Sequence, residues 1–370
     1  MQLSVIILNY NVCSFLELCI KSVKSAIENI EAEIIVIDNN SPDDSCSMVK
    51  KLFPEITLIE NKENVGFAKA NNQGVAIAKG EYVCILNPDT VVANNTFTEI
   101  LTFAKTKQNL GIIGCRLIDG TGAFLPESKR EVPTPIVSLK KMLGLSESYY
   151  ASNVQESDVA KVPILVGAFM LMKKEVYEEV NGFDETYFMY GEDIDLSYTI
   201  LKAGYTNYYY GKTSVIHYKG ESTLKDATYA NRFYGAMQIF YKKHFRKNLF
   251  FDLVVKMGVK LIPLLKKEKD FDKVTLTETV LVSNNNDLLH QLEKAKSGLV
   301  LLKTKEQIDT SEKGVIEYVL DANYVSYQEI IQLIIRLKTT NSYFKIVPNN
   351  SHFALGSNSS KSRGEVILLD

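Results

Sequence analysis

One stretch of the sequence predicts both a central strand and a polar turn at its end: Gly80-Glu81-Tyr82-Val83-Cys84-Ile85-Leu86-Asn87-Pro88-Asp89-Thr90. Its apolar run, Tyr82–Leu86, is bounded by turn residues, as expected for a strand buried inside a parallel sheet. Pro88 has no amide hydrogen to donate, so strand pairing should stop there and leave Asp89 at the carboxyl edge. Ligands of open α/β sheets bind at that edge, where a carboxylate suits a divalent cation that holds a diphosphate. A plain Asn-Pro-Asp turn without a ligand is the alternative.

Strand and helix patterns alternate ahead of this stretch. Apolar runs at residues 3–8, 33–37 and 56–59 predict strands. A helical pattern follows each of these runs, and the last of these patterns covers residues 68–79. Such alternation is typical of βαβ units, which build a parallel sheet. The expected fold class is therefore α/β, with helices flanking a Rossmann-like sheet.

Two of the predicted helices carry start signals. Ser14 and Glu17 have the spacing of a capping box. Ser41 is placed as an N-cap, with Pro42 at the first helical position. We therefore expect one helix to begin near residue 14 and another at residue 42.

Three of the predicted strands end in polar turns: Asn9-Tyr10-Asn11, Asp38-Asn39-Asn40 and Asn87-Pro88-Asp89. Because parallel strands present their carboxyl ends at the same edge, these turns should line one cleft. This layout is typical of nucleotide-binding sheets. The Gly-x-Gly-x-x-Gly turn and the Gly-x-x-x-x-Gly-Lys-Ser/Thr motif are both missing from the sequence, which argues against a dinucleotide dehydrogenase and a P-loop enzyme.

The following part of the chain is less regular. A strand is predicted at residues 111–117, but residues 120–160 lack clear periodicity and contain several prolines. A long irregular segment inside a compact domain is usually a functional loop or a lid. Further strands are expected at residues 205–210 and 213–216.

Acidic and aromatic residues alternate just before a predicted helix. Glu192, Asp193 and Asp195 open that helix, where negative charge complements the positive end of the helix dipole. A carboxylate at a helix start beside a cleft is also well placed to act as a general base. His217 follows a predicted strand, and a structural role and a metal-ligand role are equally open for it.

Composition limits the classes of protein that this chain can represent. With 370 residues, 46% hydrophobic residues, 23% charged residues and a formal net charge of -2, it is an ordinary globular sequence with room for two or three domains. The balanced charge argues against a nucleic-acid binder. The opening predicts a strand rather than a signal peptide, and no apolar run reaches the length of a membrane span. We expect a cytoplasmic protein whose five cysteines are free thiols.

A basic cluster at residues 241–248 precedes an apolar, helix-like run at residues 249–265. Asp252, Lys256 and Lys260 recur every four residues and would share one face of that helix. The pattern fits an in-plane helix at an anionic membrane surface, and equally a helix packed against protein. From about residue 272 onward, strand and helix patterns predict a small C-terminal α/β domain, to which we assign no chemistry.

The first 245 residues resemble the inverting family-2 glycosyltransferases of the GT-A fold, especially the rhamnosyltransferase-like branch. Six motifs in order carry this resemblance: Val5-Ile6-Ile7-Leu8-Asn9-Tyr10-Asn11, Val36-Ile37-Asp38-Asn39-Asn40-Ser41, Asn64-Val65-Gly66-Phe67-Ala68-Lys69-Ala70-Asn71-Asn72, Leu86-Asn87-Pro88-Asp89, Gly182-Phe183-Asp184-Glu185 and Gly191-Glu192-Asp193-Ile194-Asp195-Leu196. The resemblance implies a GT-A mixed sheet over residues 1–245, which precedes a linker helix at 246–271 and the small domain at 272–370.

The resemblance also implies roles for individual residues. Asp38 would contact the nucleobase beside the turn formed by Asn9, Tyr10 and Asn11. The nucleotide-sugar pocket would be shaped by Asn64, Gly66 and Asn71, and the donor's diphosphate would lie near Asn87 and Asp89. Asp193 matches the catalytic base and Glu192 lies beside it, while Asp89 and His217 would hold the metal ion.

Asn87 replaces the first carboxylate of the family's Asp-x-Asp motif. The protein alone would then offer few ligands, and Mg²⁺ or Mn²⁺ would be held largely by the donor's diphosphate and by water.

The expected function is transfer of a sugar, with rhamnose as a candidate, in the assembly of cell-surface polysaccharide. The donor would be dTDP- or UDP-linked, and the acceptor would be a glycan or a polyprenyl-linked glycan. A lipid-linked acceptor would bring the protein to the inner face of the plasma membrane. A non-catalytic protein of the same fold, which binds nucleotide sugars or recruits partners, is the alternative function.

Overall fold

The computed structural model describes residues 1–142, 145, 147–221, 227–245, 276–296, 298–308, 314–339, 341–359 and 363–369. The predicted helix at residues 249–265, with its two alternative roles, lies outside these ranges. Within them, no helix combines the length and the apolar character needed to cross a bilayer. The described cysteines are all free thiols, as predicted.

The first sheet and its helices occupy the chain up to residue 244. Its strands are β1 (Leu3–Asn9), β2 (Ala32–Asp38), β3 (Thr57–Glu60), β4 (Tyr82–Leu86), β5 (Thr90–Val92), β6 (Leu110–Ile118), β7 (Val159–Lys161), β8 (Phe169–Lys173) and β9 (Thr206–His217). Its helices are α1 (Cys13–Ala26), α2 (Ser45–Leu52), α3 (Phe67–Ile77), α4 (Thr96–Lys105), α5 (Pro135–Met142), α6 (Lys174–Glu179), α7 (Glu192–Lys202) and α8 (Ala227–His244).

The strand order of this sheet is β3-β2-β1-β4-β8-β6-β9-β5, with β7 paired to β9. Strands β1 to β4 are mutually parallel, whereas β8 runs antiparallel to β4 and β5 runs antiparallel to β9. The predicted mixed α/β sheet with flanking helices is therefore confirmed. Two strands predicted at residues 205–210 and 213–216 form the single strand β9, whose register against β6 shifts between Cys115 and Arg116.

The structure confirms one predicted helix start and corrects the other. Helix α1 begins at Cys13, near residue 14 as predicted, but it has no side-chain cap, and the Cys13 amide donates to Asp43 Oδ2 at 2.9 Å. The carboxylate of Glu17 accepts instead from Lys21 and from Ser351 of the C-terminal part. Helix α2 begins at Ser45 rather than residue 42, since the Ser41 hydroxyl donates to Asp38.

The predicted small C-terminal α/β domain is present as a second sheet. Its strands are β10 (Glu278–Val282), β11 (Val300–Lys303), β12 (Ile316–Asp321), β13 (Ser342–Val347), β14 (Phe353–Gly356) and β15 (Glu365–Leu368), in the order β11-β10-β12-β13-β14-β15. Helices α9 (Asn286–Ala295) and α10 (Tyr327–Leu337) accompany it.

The two sheets share one apolar cluster. Phe15 and Ile216 from the first part pack in the same buried group as Ile334 and Leu355 from the second. Polar contacts accompany this packing: the Gln328 amide donates to Asn94 Oδ1 at 3.0 Å, and the Gly364 amide donates to the Glu221 carboxylate at 2.7 Å. The domain boundaries at residues 245 and 271 remain a prediction.

Candidate active site

A cavity of about 310 Å³ opens at the carboxyl edge of the first sheet. Among the predicted site residues, those that line it are Tyr10, Asn64, Asn87, Asp89, Glu192, Asp193 and His217. The remaining predicted residues do not line the cavity but are neighbours of residues that do. They are Asn9, Asn11, Asp38, Gly66 and Asn71. The structure therefore brings the predicted catalytic and metal-binding residues together in one cleft.

The turns after β1 and β2 are joined by a hydrogen-bonded cluster around Asp38. In the parallel register Asn9 lies opposite Asp38, and its side-chain amide donates to Asp38 Oδ2 at 2.8 Å. The amide of Ser41 donates to Asp38 Oδ1 at 2.8 Å, and its hydroxyl donates to Oδ2 at 2.6 Å. That hydroxyl accepts from the amide of Asn11, which has a positive φ of 58°. The buried Asp38 carboxylate therefore fixes the turns that lead into the cavity.

A glycine fixes the wall formed by the start of α3. Gly66 has a φ of +87°, and a Cβ built on it would lie 2.6 Å from the carbonyl oxygen of Phe188. Asn64 Oδ1 accepts from the Gly66 amide at 3.0 Å and from Asn39 Nδ2 at 3.1 Å. Asn71 is fully buried, and its side-chain amide donates to the carbonyl of Phe67 at 3.0 Å. Of these, Asn64 and Asn39 reach the cavity, and the glycine allows the two backbones to approach closely.

Strands β5 and β9 bring a carboxylate and an imidazole together at the opposite wall. Nε2 of His217 lies 3.4 Å from Asp89 Oδ1 and 3.3 Å from Asn87 Nδ2. Asp89 Oδ2 accepts from the Lys219 amide at 3.1 Å, whereas the buried Oδ1 has no hydrogen-bond partner in the described part of the chain. An unpartnered carboxylate oxygen beside an imidazole nitrogen fits two of the ligands of a divalent cation.

The protein supplies only part of a metal shell here. Across the described ranges, no cluster of three or more His, Cys, Asp or Glu side chains could hold a metal ion. Asn87, where the family motif has a carboxylate, places an amide in the cavity instead. This fits the expectation that a bound cation would take its other ligands from the donor's diphosphate and from water.

The start of helix α7 places two carboxylates in the cavity. Gly191 precedes it in the left-handed conformation, with a φ of +79°, and Glu192 and Asp193 follow as buried residues. Asp193 Oδ2 accepts from Arg130 Nη2 at 2.6 Å and from the Gly167 amide at 3.1 Å. Asp193 is therefore an ion-paired carboxylate at the wall of a cavity.

The two neighbouring carboxylates have different environments. Burial and the negative charge of Asp193 together raise the pKa of Glu192 to about 8, and Glu192 Oε2 has no hydrogen-bond partner among the described residues. Burial lowers the pKa of Arg130, but Asp193 and Tyr149 together outweigh burial and hold that pKa above its usual range. Glu192 therefore holds a proton more tightly than a free carboxyl group does, beside the Arg130–Asp193 ion pair.

Sequence reasoning missed three charged residues that line the cavity: Glu127, Arg130 and Lys219. Lys219 has a positive φ of 63° and forms an ion pair with Glu127. Burial raises the pKa of Glu127, but Lys219 counteracts it so that the pKa lies below its usual value. Glu127 and Arg130 belong to the aperiodic segment at residues 120–160, where the only available signal was the prediction of a functional loop. Lys219 lies two residues beyond His217, at the end of a strand already expected to reach the cleft.

Comparisons with known proteins show what these features resemble. Residues 4–180 match the model of the family described as glycosyl transferase family 2, and residues 159–221 match that of the N-terminal domain of galactosyltransferase. The rhamnosyltransferase WbbL of Escherichia coli K12 is 30% identical over 213 residues, which cover 53% of this chain and 78% of that protein.

A second relative and a solved structure also match this chain. The N-acetylglucosaminyl-diphospho-decaprenol L-rhamnosyltransferase of Mycobacterium tuberculosis is 28% identical over 243 residues, which cover 60% of this chain and 78% of that protein. The mannosyltransferase PcManGT of Pyrobaculum calidifontis, solved with GDP-Man and Mn²⁺, aligns with a TM-score of 0.48 and 21% identity, over 70% of this chain and 69% of that one.

Proposed function

The chain belongs to glycosyl transferase family 2, and we propose that it transfers a sugar, with inversion and with the help of a divalent cation, from a nucleotide sugar to a glycan or lipid-linked acceptor. The observation that carries this proposal is that Asp193 and the Asp89–His217 pair line the same cavity. Rhamnose on a dTDP or UDP carrier is the first donor to test, because rhamnosyltransferases stand among the relatives. Asn87 in the cavity favours the non-catalytic alternative, whereas Asp89 and Asp193 in the same cavity speak against it.

The reaction is a single displacement. The acceptor hydroxyl oxygen forms a bond to the anomeric carbon, and the bond from that carbon to the phosphate oxygen breaks on the opposite face. Asp193 takes the hydroxyl proton, and the nucleoside diphosphate leaves with the bonding electrons. Because attack and departure occur on opposite faces, the anomeric configuration inverts without an enzyme nucleophile.

The charge balance of the cavity supports a role for a cation. Among the described residues, its lining carries four carboxylic side chains (Asp89, Glu127, Glu192 and Asp193) and two cationic ones (Arg130 and Lys219). An anionic diphosphate would meet few uncompensated positive charges in such a site. Asp89 and His217, with the Asn87 amide beside them, would hold Mg²⁺ or Mn²⁺. When bound, the cation would neutralise the charge that develops on the departing diphosphate.

The polar turns would bind the rest of the donor. The residues proposed for this role are Asn9, Tyr10, Asn11, Asp38, Asn64, Gly66, Asn71, Asn87 and Asp89. We propose that the buried members of this set shape the turns, as Asp38 does through Ser41, while Tyr10 and Asn64 face the ligand. A polyprenyl-linked acceptor would place the protein at the inner face of the plasma membrane.

Transfer assays with purified protein test the proposal. The protein is incubated with dTDP-rhamnose and with UDP- and GDP-sugars, with Mn²⁺ or with EDTA, and the released nucleoside diphosphate and the anomeric configuration of the product are measured. We expect one nucleotide class to react, only with the cation, and to give the inverted product. Transfer from none of these donors, by a folded protein, would overturn the proposal and favour the non-catalytic alternative.

The proposed base has a matched control. Asp193→Asn should abolish transfer while donor binding is retained, because the amide cannot take the acceptor proton. Glu28→Gln removes an exposed carboxylate after α1 and should leave transfer unchanged. Full activity of Asp193→Asn would show that another group acts as the base.

A further inference from the structure

Arg130 is held rigidly at both its backbone and its side chain. Its amide donates to the Ile164 carbonyl at 3.0 Å, and the Ile164 amide donates back to the Arg130 carbonyl at 3.1 Å. Its Nη2 donates to Asp193 at 2.6 Å and to the Leu165 carbonyl at 2.7 Å. With only 7% of its surface exposed, the residue has little freedom to take another rotamer.

The ion pair also orients the Asp193 carboxylate. Oδ2 accepts from Arg130 and from the Gly167 amide, so both of these donors fix the same oxygen. The other oxygen, Oδ1, accepts from the adjacent amide of Ile194 at 2.8 Å. This division leaves Oδ1 as the oxygen with spare capacity to accept a proton from a hydroxyl in the cavity.

The charge of Arg130 also bears on which acid of the pair is ionised. The titratable and charged groups that face Asp193 are Arg130, the neighbouring Glu192 and Tyr149, which lies beside the guanidinium. Two adjacent buried carboxylates disfavour double ionisation, and a cation on one of them favours the charged form of that one. Arg130 contacts Asp193 directly. Among the described residues, no hydrogen bond or ion pair joins Arg130 to Glu192.

We propose that Arg130 is a positioning residue, which holds Asp193 in an ion pair and turns one of its oxygens toward the acceptor hydroxyl. This inference rests on the proposed function, since it assigns Asp193 the role of base. Arg130 itself makes no bond to the reacting atoms in this account. Its effect on the reaction passes through the orientation and charge of Asp193.

Three substitutions test this role. Arg130→Gln removes the charge, and Arg130→Lys keeps the charge but loses the planar fork. The control is Arg116→Gln. It breaks an ion pair of equal length, 2.6 Å, between Arg116 of β6 and Glu156, and neither residue lines the cavity. The measured quantities are kcat and the donor KM of each variant.

We expect Arg130→Gln to lower kcat about a hundredfold with little change in donor KM, because general-base catalysis contributes factors of that size. Arg130→Lys should recover part of kcat, because it keeps the positive charge that pairs with Asp193. Arg116→Gln should behave as the unsubstituted chain.

Two results would overturn the inference. The first is a folded Arg130→Gln protein with unchanged kcat. If that variant does not fold, the second result is taken from Arg130→Lys. A wild-type kcat in Arg130→Lys would show that the planar guanidinium is not needed to position Asp193.

A double-mutant cycle tests the ion pair without turnover. The unfolding midpoints of Arg130→Gln, Asp193→Asn and the double variant are compared at neutral pH, and we expect the second substitution to cost much less after the first. Additive losses would overturn the inference even in a protein that transfers no sugar. Failure of the donor assays, in contrast, would overturn the proposed function, so the two failures are distinguishable.

Discussion

His217 Nε2 lies 3.4 Å from Asp89 Oδ1, across the antiparallel pair formed by β5 and β9. Thr90 and His217 are direct partners in that register, so backbone pairing brings Asp89, which precedes Thr90, next to the imidazole. The arrangement leaves a carboxylate and an imidazole available to one cation.

Removal of either ligand should therefore weaken the response to metal. We expect Mn²⁺ to raise the unfolding midpoint of the protein in the presence of a nucleoside diphosphate, since a ligand that binds only the native state stabilises it. His217→Ala should reduce this increase, and Asp89→Asn should abolish it. His290→Ala, which changes an exposed histidine on helix α9, is the control. An undiminished response in Asp89→Asn would place the metal elsewhere.

Asn87 offers the opposite test. Asn87→Asp restores a second carboxylate beside Asp89, and metal affinity rises with the number of charged ligands. We expect the Mn²⁺ concentration for half-maximal activity to fall by about one order of magnitude. An unchanged concentration would show that residue 87 is outside the metal's ligand shell.

Gly66→Ala should destabilise the wall of the cavity. The substitution meets both a left-handed φ of +87° and a carbonyl oxygen at 2.6 Å. Gly204→Ala is a matched control, because its φ is +96° but nothing lies within 4 Å of the added Cβ. The control should cost about 1–2 kcal/mol in unfolding free energy from conformation alone, and Gly66→Ala should cost more. Equal losses would show that the wall yields without strain.

Glu192 gives a pH dependence of stability. Its pKa in the folded protein, about 8, lies above the ordinary value of 4.5, so the folded state binds the proton more tightly than the unfolded state does. The stability due to the neutral carboxyl is fully present below about pH 4.5 and is lost as pH rises through 8.

Glu192→Gln should remove this dependence. The variant's unfolding midpoint should decline less than that of the unsubstituted protein between pH 5 and 9, by on the order of a few degrees. Thermal unfolding measured across this range checks the prediction. Parallel pH curves for the two proteins would contradict it.

Local pattern predicted the architecture of the site because its main edge is built from short, strongly apolar strands. β1, β2 and β4 each end where a polar turn begins, so the positions of Asn9, Asp38 and Asp89 at one edge follow from sequence alone. The start of α7 was predicted from Glu192, Asp193 and Asp195, whose negative charge suits the positive end of a helix.

The parts that sequence reasoning missed depend on long-range pairing. Arg130 reaches Asp193 because its backbone pairs with Ile164, a contact that no periodicity in residues 120–160 encodes. The wrong start of α2 has a related cause, since Ser41 is a good local cap but binds Asp38 instead. Tertiary partners decide such positions, and a local rule cannot anticipate them.

The apolar cluster shared by the two sheets bears on how the molecule unfolds. Phe15 from α1 and Ile216 from β9 would be exposed to water if the second sheet were released. Loss of either half therefore costs the other half buried apolar surface, which couples their stabilities. Heating should accordingly unfold both sheets in one cooperative transition. A change that destabilises the C-terminal sheet should therefore also destabilise β9, the strand that ends in His217.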